Sequence, residues 1–244
     1  MRAPQTPHAL LRHASAYYRP AGRFAWHFAQ GKLKGDPAFR TILAQGLLAE
    51  REDLLDLGAG QALLAAWLLA ARTAYASERA GDWPPGWPAP PQLRSYTGIE
   101  INPQEVRRAR RAFAHDSGAA VRIVHADIRE ADYGTPDAVV LLDVLHYSDF
   151  RTQEAVLRRV RAALAADGVL VLRIGDAAGG FGCALSKAVD RTVALARRGR
   201  WLRLHCRTLR QWQQLLATLG FSTRAVPMPE ATAFSNVLFL ARPT

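Results

Sequence analysis

Cysteine and long apolar runs are scarce in this sequence. Among 244 residues only Cys183 and Cys206 are cysteines, which is too few for a disulfide framework or a zinc site. The apolar stretches at 63–71 and 139–142 are far shorter than the about 20 residues that cross a bilayer as a helix. The opening residues have neither the apolar core nor the cleavage pattern of a secretory signal. These absences predict a cytoplasmic protein.

Acidic residues are outnumbered by basic ones. The chain has 32 Lys and Arg against 21 Asp and Glu, a net charge of +11. A basic surface favours acidic partners such as nucleic acid, anionic lipid or an acidic carrier protein. The arginine-rich stretches at 107–111, 158–161 and 197–200 fit this interpretation, although they fit solvated outer helix faces equally well. A hydrophobic content of 49% excludes wholesale disorder.

From residue 53 onward, short apolar segments alternate with helical ones. Strands are predicted at 53–57, 95–101, 121–126, 137–142 and 169–174, and helices at 62–75, 104–115 and 152–165. Nearly continuous apolar strands that alternate with helices indicate a parallel sheet with helices on both faces. A helix at 208–219 and strands at 222–226 and 236–241 predict a long C-terminal hairpin. The expected fold class is therefore an α/β, Rossmann-like doubly wound sheet.

Three segments stand outside this alternation. Residues 1–50 have a helical pattern with breaks, in which Asp36 and Pro37 predict the N-cap and the first residue of a helix. We expect this segment to cover a ligand that is bound by a domain at 51–244. Five prolines within 81–92 prevent regular structure and predict an extended surface loop. A glycine-rich stretch at 175–182 and a basic amphipathic helix at 185–198 together predict a lid-like insertion at about 175–207.

Carboxylates end four consecutive predicted strands, at Asp56, Glu100, Asp127 and Asp143. In an open parallel sheet, ligands bind just beyond the carboxyl ends of the strands, where the strand order reverses. The four side chains are therefore expected to converge on one cleft. The Gly-Ala-Gly turn at 58–60 allows a ligand close to the backbone, next to the free amides of a helix N-terminus.

Each carboxylate suits a different part of an adenosine-bearing cation. Glu100 can accept strong charge-assisted hydrogen bonds from ribose hydroxyls. Asp127 can accept from the adenine amino group, and Ile101 and Ile128 can close on the adenine ring. A nicotinamide dinucleotide fits less well, because Leu63 replaces the third glycine of its fingerprint and Asp56 would repel a pyrophosphate.

The chain resembles class I S-adenosylmethionine-dependent methyltransferases. The runs DLGAG at 56–60, GIEI at 98–101, Asp127-Ile128, LDVLHY at 142–147 and AADGVL at 165–170 match the family's motifs. The resemblance implies a seven-stranded sheet with an antiparallel last strand, S-adenosylmethionine as cofactor and S-adenosylhomocysteine as product. It implies cofactor contacts from Asp56, Gly58, Ala59, Gly60, Glu100, Ile101, Asp127, Ile128, Asp143 and Val144. The block YRPAGRFAWHF at 18–28 also resembles methyltransferases of aryl-polyene-type pigment pathways.

Several residues are candidates for contact with the methyl acceptor. His146, just beyond the fourth strand, is the first candidate for a general base, and His27 is the second. Tyr18, Trp26 and Tyr147 could line an aromatic acceptor pocket, although helix packing explains each equally well. The cofactor carboxylate could be bound by Arg19, Lys32 or Lys34. The sequence contains no metal-ligand cluster.

The resemblance and the aromatic block favour a small acceptor, either a hydroxylated aromatic or an acyl group on an acidic carrier protein. One alternative is an RNA methyltransferase, but the fourth strand is not followed by an Asn/Asp-Pro-Pro-Tyr/Phe motif and no RNA-binding module is attached. A nucleic-acid partner is therefore not expected. The other alternative is a binding module that keeps the cofactor fold without catalysis.

Overall fold

The computed structural model describes residues 7–77, 81–115, 121–177, 204–228 and 236–244. The strands are β1 (Asp53–Leu57), β2 (Ser95–Glu100), β3 (Val121–His125), β4 (Ala138–Leu142), β5 (Val169–Gly175), β6 (Phe221–Val226) and β7 (Asn236–Pro243). The helices are α1 (His8–Ala16), α2 (Arg23–Gly35), α3 (Pro37–Ala44), α4 (Leu63–Tyr75), α5 (Pro103–Ala112), α6 (Phe150–Ala163) and α7 (Leu209–Thr218), with a short 3-10 helix at Leu145–Tyr147. The predicted helix at 185–198 lies outside the described residues.

All seven strands form one sheet in the order β3-β2-β1-β4-β5-β7-β6. Strands β1 to β5 are parallel, and β7 runs antiparallel to both β5 and β6. This confirms the predicted fold class and the C-terminal hairpin. Strand β1 pairs with β2 on one side and β4 on the other, so the order reverses there. The crevice for a ligand is therefore expected at the carboxyl end of β1.

The first nine residues of helix α4 are all buried. Ten of its thirteen residues are buried, because α1, α2 and α3 pack over the face that the sheet does not cover. The indole N–H of Trp67 donates to the Phe39 carbonyl at 2.9 Å, which fixes α3 against α4. A helix that is apolar all round must be covered in this way. The N-terminal helices are thus part of the core.

Most predicted helix starts are confirmed by their caps. Asp36 accepts from the Ala38 N–H at 3.0 Å, and Thr208 forms a capping box with Gln211. Helix α6 begins two residues earlier than predicted, because Asp149 accepts from the Thr152 N–H at 2.7 Å and acts as the N-cap. The Pro-rich stretch at 81–92 contains neither helix nor strand, as predicted.

No helix in the described part of the chain combines the length and the apolar character that crossing a membrane requires.

Candidate functional site

A cavity of about 350 Å³ opens at the carboxyl ends of β1, β4 and β5. The turn after β1 forms one wall, and the end of β4 with the 3-10 helix forms a second. Residues of α2 and α3 form a third wall, so the N-terminal helices reach the site directly. The lining includes Phe28, Lys32, Phe39, Asp56, Gly58, Ala59, Gly60, Gln61, Glu105, Asp143, His146, Tyr147 and Arg173.

The two glycines of the β1 turn serve different purposes. Both have left-handed backbones, with φ of 76° at Gly58 and 56° at Gly60, which glycine adopts without strain. A Cβ on Gly58 would lie 2.5 Å from Cγ2 of Val144, whereas a Cβ on Gly60 would meet nothing within 4 Å. Gly58 is therefore required by packing, and Gly60 faces open space in the cavity wall.

Asp56 is a buried carboxyl group on the cavity wall. Burial, with a contribution from the negative charge of Glu100, raises its pKa from 3.8 to about 7, although a hydrogen bond from Tyr96 opposes the increase. The Tyr96 hydroxyl donates to Asp56 Oδ2. The buried ionised form is costly without a cation beside it. A positively charged ligand group in the cavity would supply that partner.

Glu100 lies behind the glycine turn rather than on the cavity wall. Its Oε2 accepts from the Gly60 N–H at 2.9 Å, and its Oε1 accepts from the Asn102 N–H at 2.7 Å. These two bonds fix the carboxylate at the end of β2. Each oxygen has a second lone pair that remains able to accept from a ligand hydroxyl.

The predicted adenine-side residues lie further along the same sheet edge. Ile101 follows Glu100 and is 45% exposed. Asp127, at the end of β3, forms an ion pair with Arg129 at 2.6 Å. Half-buried Ile128 is anchored through its carbonyl, which accepts from Arg159 at 2.9 Å. The ten predicted cofactor residues thus lie in two groups. The cavity is lined by Asp56, Gly58, Ala59, Gly60 and Asp143, with Val144 packed against Gly58. The ends of β2 and β3 hold Glu100, Ile101, Asp127 and Ile128.

Asp143 is paired with a buried arginine. Its backbone is left-handed, with φ of 59°, and its Oδ1 accepts from Arg173 Nε at 2.8 Å. Arg173 Nη2 also donates to Asp36 Oδ2 at 2.8 Å, and Lys32 Nζ lies 2.7 Å from the same oxygen. Burial alone would raise the pKa of Asp36, but Arg173 and then Lys32 hold it well below its ordinary value. The charges of Arg173 and Lys32 are therefore neutralised by those of Asp36 and Asp143 beside the cavity.

Sequence reasoning missed Arg173, although a signal was present. Arg173 is the one charged residue in the apolar strand VLVLRIG, and a charge in a buried strand needs a partner. Its partner Asp36 was recognised only as a helix cap.

His146 and Tyr147 lie on the cavity wall, on the 3-10 helix after β4. Their ring centroids are 4.1 Å apart. Buried Gln153 fixes this loop, because its Nε2 donates to the carbonyls of Leu145, Ser148 and His205 at 2.8 to 3.1 Å. The two predicted side chains are therefore positioned by a buried amide on α6.

The other predicted acceptor residues lie away from the cavity wall. Tyr18 is fully buried, and its hydroxyl donates to the Gln61 carbonyl at 2.8 Å, so it supports the β1 turn from behind. Trp26 packs on the core and His27 is exposed. Helical periodicity explains this correction, because the residues of α2 that line the cavity are Phe28 and Lys32. Of the three predicted cations, Arg19 and Lys34 are exposed away from the cavity and only Lys32 is on its wall.

No cluster of three metal-ligating side chains occurs within the described ranges.

Comparison with known proteins shows what part of the chain resembles a known family. Residues 55–170 match the family model of a methyltransferase domain. The chain is 33% identical over 138 residues to carboxy-S-adenosyl-L-methionine synthase of Chromohalobacter salexigens, covering 56% of this chain and 47% of that protein. The chain thus spans about half the length of this curated relative.

Solved structures share the whole architecture at low sequence identity. An O-methyltransferase family protein from Burkholderia thailandensis has a TM-score of 0.62 at 18% identity, covering 93% of this chain and 62% of that chain. Magnesium protoporphyrin IX methyltransferase from Synechocystis, solved with bound S-adenosylmethionine, has a TM-score of 0.57 at 15% identity, covering 93% of this chain and 90% of that chain. These solved methyltransferases share the fold of this chain.

Proposed function

We propose that this chain is an S-adenosylmethionine-dependent methyltransferase that acts on a small acceptor. The observation that carries the proposal is the cavity itself. Its first wall has the glycine turn and Asp56, which suit the cofactor, and its opposite walls have His146, Tyr147 and Phe28, which suit an acceptor. The family match at 55–170 and neighbours of the same fold solved with the cofactor or its product support this choice.

Three features of the described residues fit the cofactor. Gln61 Oε1 is buried on the cavity wall and has no hydrogen-bond donor, so it can accept from an ammonium group. Gly60 leaves open space where a side chain would project. Ile101 exposes an apolar surface beside Glu100, where an adenine ring could lie. Glu100 would bind the ribose, and Asp127 and Ile128 would bind the adenine.

The chemistry required of the protein is mainly positioning. When bound, S-adenosylmethionine supplies a methyl group already activated on a sulfonium. Asp56 and Gln61 would hold the cationic end of the cofactor, and the walls would orient the acceptor for in-line displacement. His146 would accept the proton that a hydroxyl acceptor loses when it forms the new bond to the methyl carbon.

The acceptor is proposed to be a hydroxylated aromatic molecule, either free or presented by an acidic carrier protein in the cytoplasm. Part of the arginine excess is not available to a carrier, because Arg110, Arg159 and Arg161 donate to backbone carbonyls. Arg107 and Arg111 on α5 are exposed and would contact a carrier. No feature of the described residues favours RNA as acceptor or loss of catalysis.

Calorimetric titration with S-adenosylmethionine and S-adenosylhomocysteine tests the cofactor assignment. We expect micromolar binding that Asp56→Ala and Glu100→Ala abolish. Asp167→Ala, which removes an exposed carboxylate paired with Arg51, should leave it unchanged. Methyl transfer is then measured on free aromatic acids and on their carrier thioesters. His146→Gln should lower kcat by about 100-fold and leave cofactor binding intact. Absence of cofactor binding would refute the proposal, and binding without transfer to any acceptor would favour the non-catalytic module.

A further inference from the structure

Helix α2 has an aromatic row that the core does not use. Ala25, Ala29 and Leu33 form its buried face, whereas Phe24 and Phe28 are 59% and 42% exposed. The two exposed rings are one helical turn apart, nearly parallel at 9°, with centroids separated by 6.2 Å. Exposed aromatic rings in register indicate a binding surface more often than single exposed residues do.

The row leads into the cavity. One turn beyond Phe28 lies Lys32, and both residues line the cavity wall, whereas Phe24 lies outside it. We call Phe24, Phe28 and Lys32 the α2 aromatic face. Because it is continuous with the site, a molecule lying on it has one end inside the cavity.

Gly31 provides an independent indication of a ligand on this face. Glycine in a helix interior destabilises by about 1 kcal/mol relative to alanine, so its presence needs a reason. A Cβ at Gly31 would meet nothing within 4 Å, so packing does not require the glycine. Position 31 follows Phe28 by three residues and lies on the same side of the helix. The glycine leaves the helix backbone bare at the place where a flat molecule would approach it.

The charges beside the face favour an anion. The Arg108 guanidinium on α5 lies 4.4 Å from the Phe24 ring centroid. Its Nη1 is paired with Glu105 at 2.6 Å, and a guanidinium has further N–H donors that can bind a carboxylate. Lys32, which is paired with Asp36 at 2.7 Å, is a second cation at the inner end and has further N–H donors. An aromatic row between an outer arginine and an inner lysine suits a planar molecule with a negative group.

We propose that the α2 aromatic face is the acceptor entrance and selects planar aromatic molecules that bear a carboxylate or similar anion. The acceptor rings lie along Phe24 and Phe28, the anionic group faces Arg108, and the reacting end enters the cavity towards His146. This inference rests on the proposed function, because it takes the cavity to be the site of methyl transfer. Neither a second copy of the chain nor a carrier protein is needed to cover the face.

Fluorescent probes of matched shape test this selection. Anilinonaphthalene sulfonate is a planar aromatic anion, and N-phenylnaphthylamine is its uncharged parent. Both are titrated with saturating S-adenosylhomocysteine, which occupies the cofactor side, and also without it. The double variant Phe24→Ser/Phe28→Ser should bind both probes at least about tenfold more weakly than the wild type, because aromatic contacts are lost. Arg108→Gln should weaken the binding of the sulfonate about fivefold and leave the binding of the uncharged probe unchanged.

Phe150→Ser is the matched control, because Phe150 is 45% exposed and has the Arg207 guanidinium 4.6 Å from its ring centroid. Phe150→Ser should leave the affinity for both probes unchanged. The thermal midpoints of unfolding of all variants should match that of the wild type. Unchanged sulfonate binding in the double variant, or no sulfonate binding by the wild type, overturns the inference. A wild-type dimer that dissociates in the double variant also overturns it, since a second copy would then cover the face. Calorimetry with S-adenosylhomocysteine separately decides the proposed function.

Discussion

Arg173 and Asp36 form a buried ion pair between parts of the chain that are 137 positions apart. Arg173 Nη2 donates to Asp36 Oδ2 at 2.8 Å, and both side chains are over 90% buried. Arg173 belongs to β5 in the sheet, whereas Asp36 caps α3 in the N-terminal segment. The pair therefore joins the two parts of the protein that enclose the cavity.

Asp36→Asn should lower the free energy of unfolding by about 3 kcal/mol, because a buried arginine loses one of its two charged partners. Asparagine keeps the cap of α3, so the substitution isolates the ion pair. Urea denaturation at pH 7 measures the change. Asp149→Asn, at the exposed cap of α6, should change stability by less than about 0.5 kcal/mol. Equal effects of the two substitutions would contradict a special role for the buried pair.

Asp56→Asn should stabilise the protein, and the gain should depend on pH. The folded pKa of Asp56 is about 7 instead of 3.8, so the folded state holds the proton more tightly than the unfolded state. The contribution of this carboxyl group to the free energy of unfolding of the wild type therefore falls as the pH rises from about 4 to about 7. Above that range it does not change further. The asparagine of the variant is neutral at every pH. The free energy of unfolding of the variant should therefore exceed that of the wild type by on the order of a few kcal/mol at pH 8 and should equal it at pH 4.

Asp53→Asn on the same strand is the control for this pH profile. Hydrogen bonding from Arg94 lowers the pKa of Asp53, so its replacement should give no such gain at pH 8. Thermal melts at several pH values compare the three proteins. A pH-independent difference between Asp56→Asn and the wild type would show that the carboxyl group ionises without penalty.

Gln61→Leu should stabilise the ligand-free protein by about 1 kcal/mol, because it removes a buried acceptor that has no donor. The same change should weaken S-adenosylmethionine binding about tenfold or more, since the ammonium group loses its acceptor. Gln153→Leu provides a contrast, because the Gln153 amide donates to three carbonyls and its loss should destabilise. Urea denaturation and calorimetry report both effects, and destabilisation by Gln61→Leu would count against the assignment.

Gly58→Ala and Gly60→Ala should separate folding from binding. Alanine at 58 meets Val144 at 2.5 Å, so this variant should lose several kcal/mol of stability. Alanine at 60 meets no atom and should lose only about 1 kcal/mol through its left-handed backbone, yet block cofactor binding. Thermal melts and calorimetric titration distinguish the two results. Wild-type cofactor affinity in Gly60→Ala would place the ligand elsewhere.

The sheet and the strand-end acids were predictable because their signals are local. Each parallel strand is a short apolar run, and topology alone brings Asp56, Glu100 and Asp143 to the same edge. The antiparallel direction of the last strand, β7, was predicted from the family resemblance and not from the residues alone. Helix starts were predicted well where a single capping residue decides them, as at Asp36 and Thr208.

The remaining features depend on contacts that no local pattern contains. The pairing of Arg173 with Asp36 joins two segments far apart in sequence, and it neutralises Asp143 as well. Aromatic content alone did not show which side of α2 faces the core. The structure turns Trp26 towards the core and leaves Phe24 and Phe28 outside, so the aromatic side chain of α2 on the cavity wall is Phe28, two positions after Trp26.

The ion pair at Arg173 also limits how the N-terminal segment can be exchanged. Replacing residues 1–50 by the corresponding segment of a protein with the same fold would change the helices beside the cavity. It would also leave the Arg173 guanidinium inside the sheet without one of its carboxylates, unless the new segment had a carboxylate at position 36. Chimaeras should therefore be designed with both ends of that pair moved together, or with Arg173 made apolar in the same step.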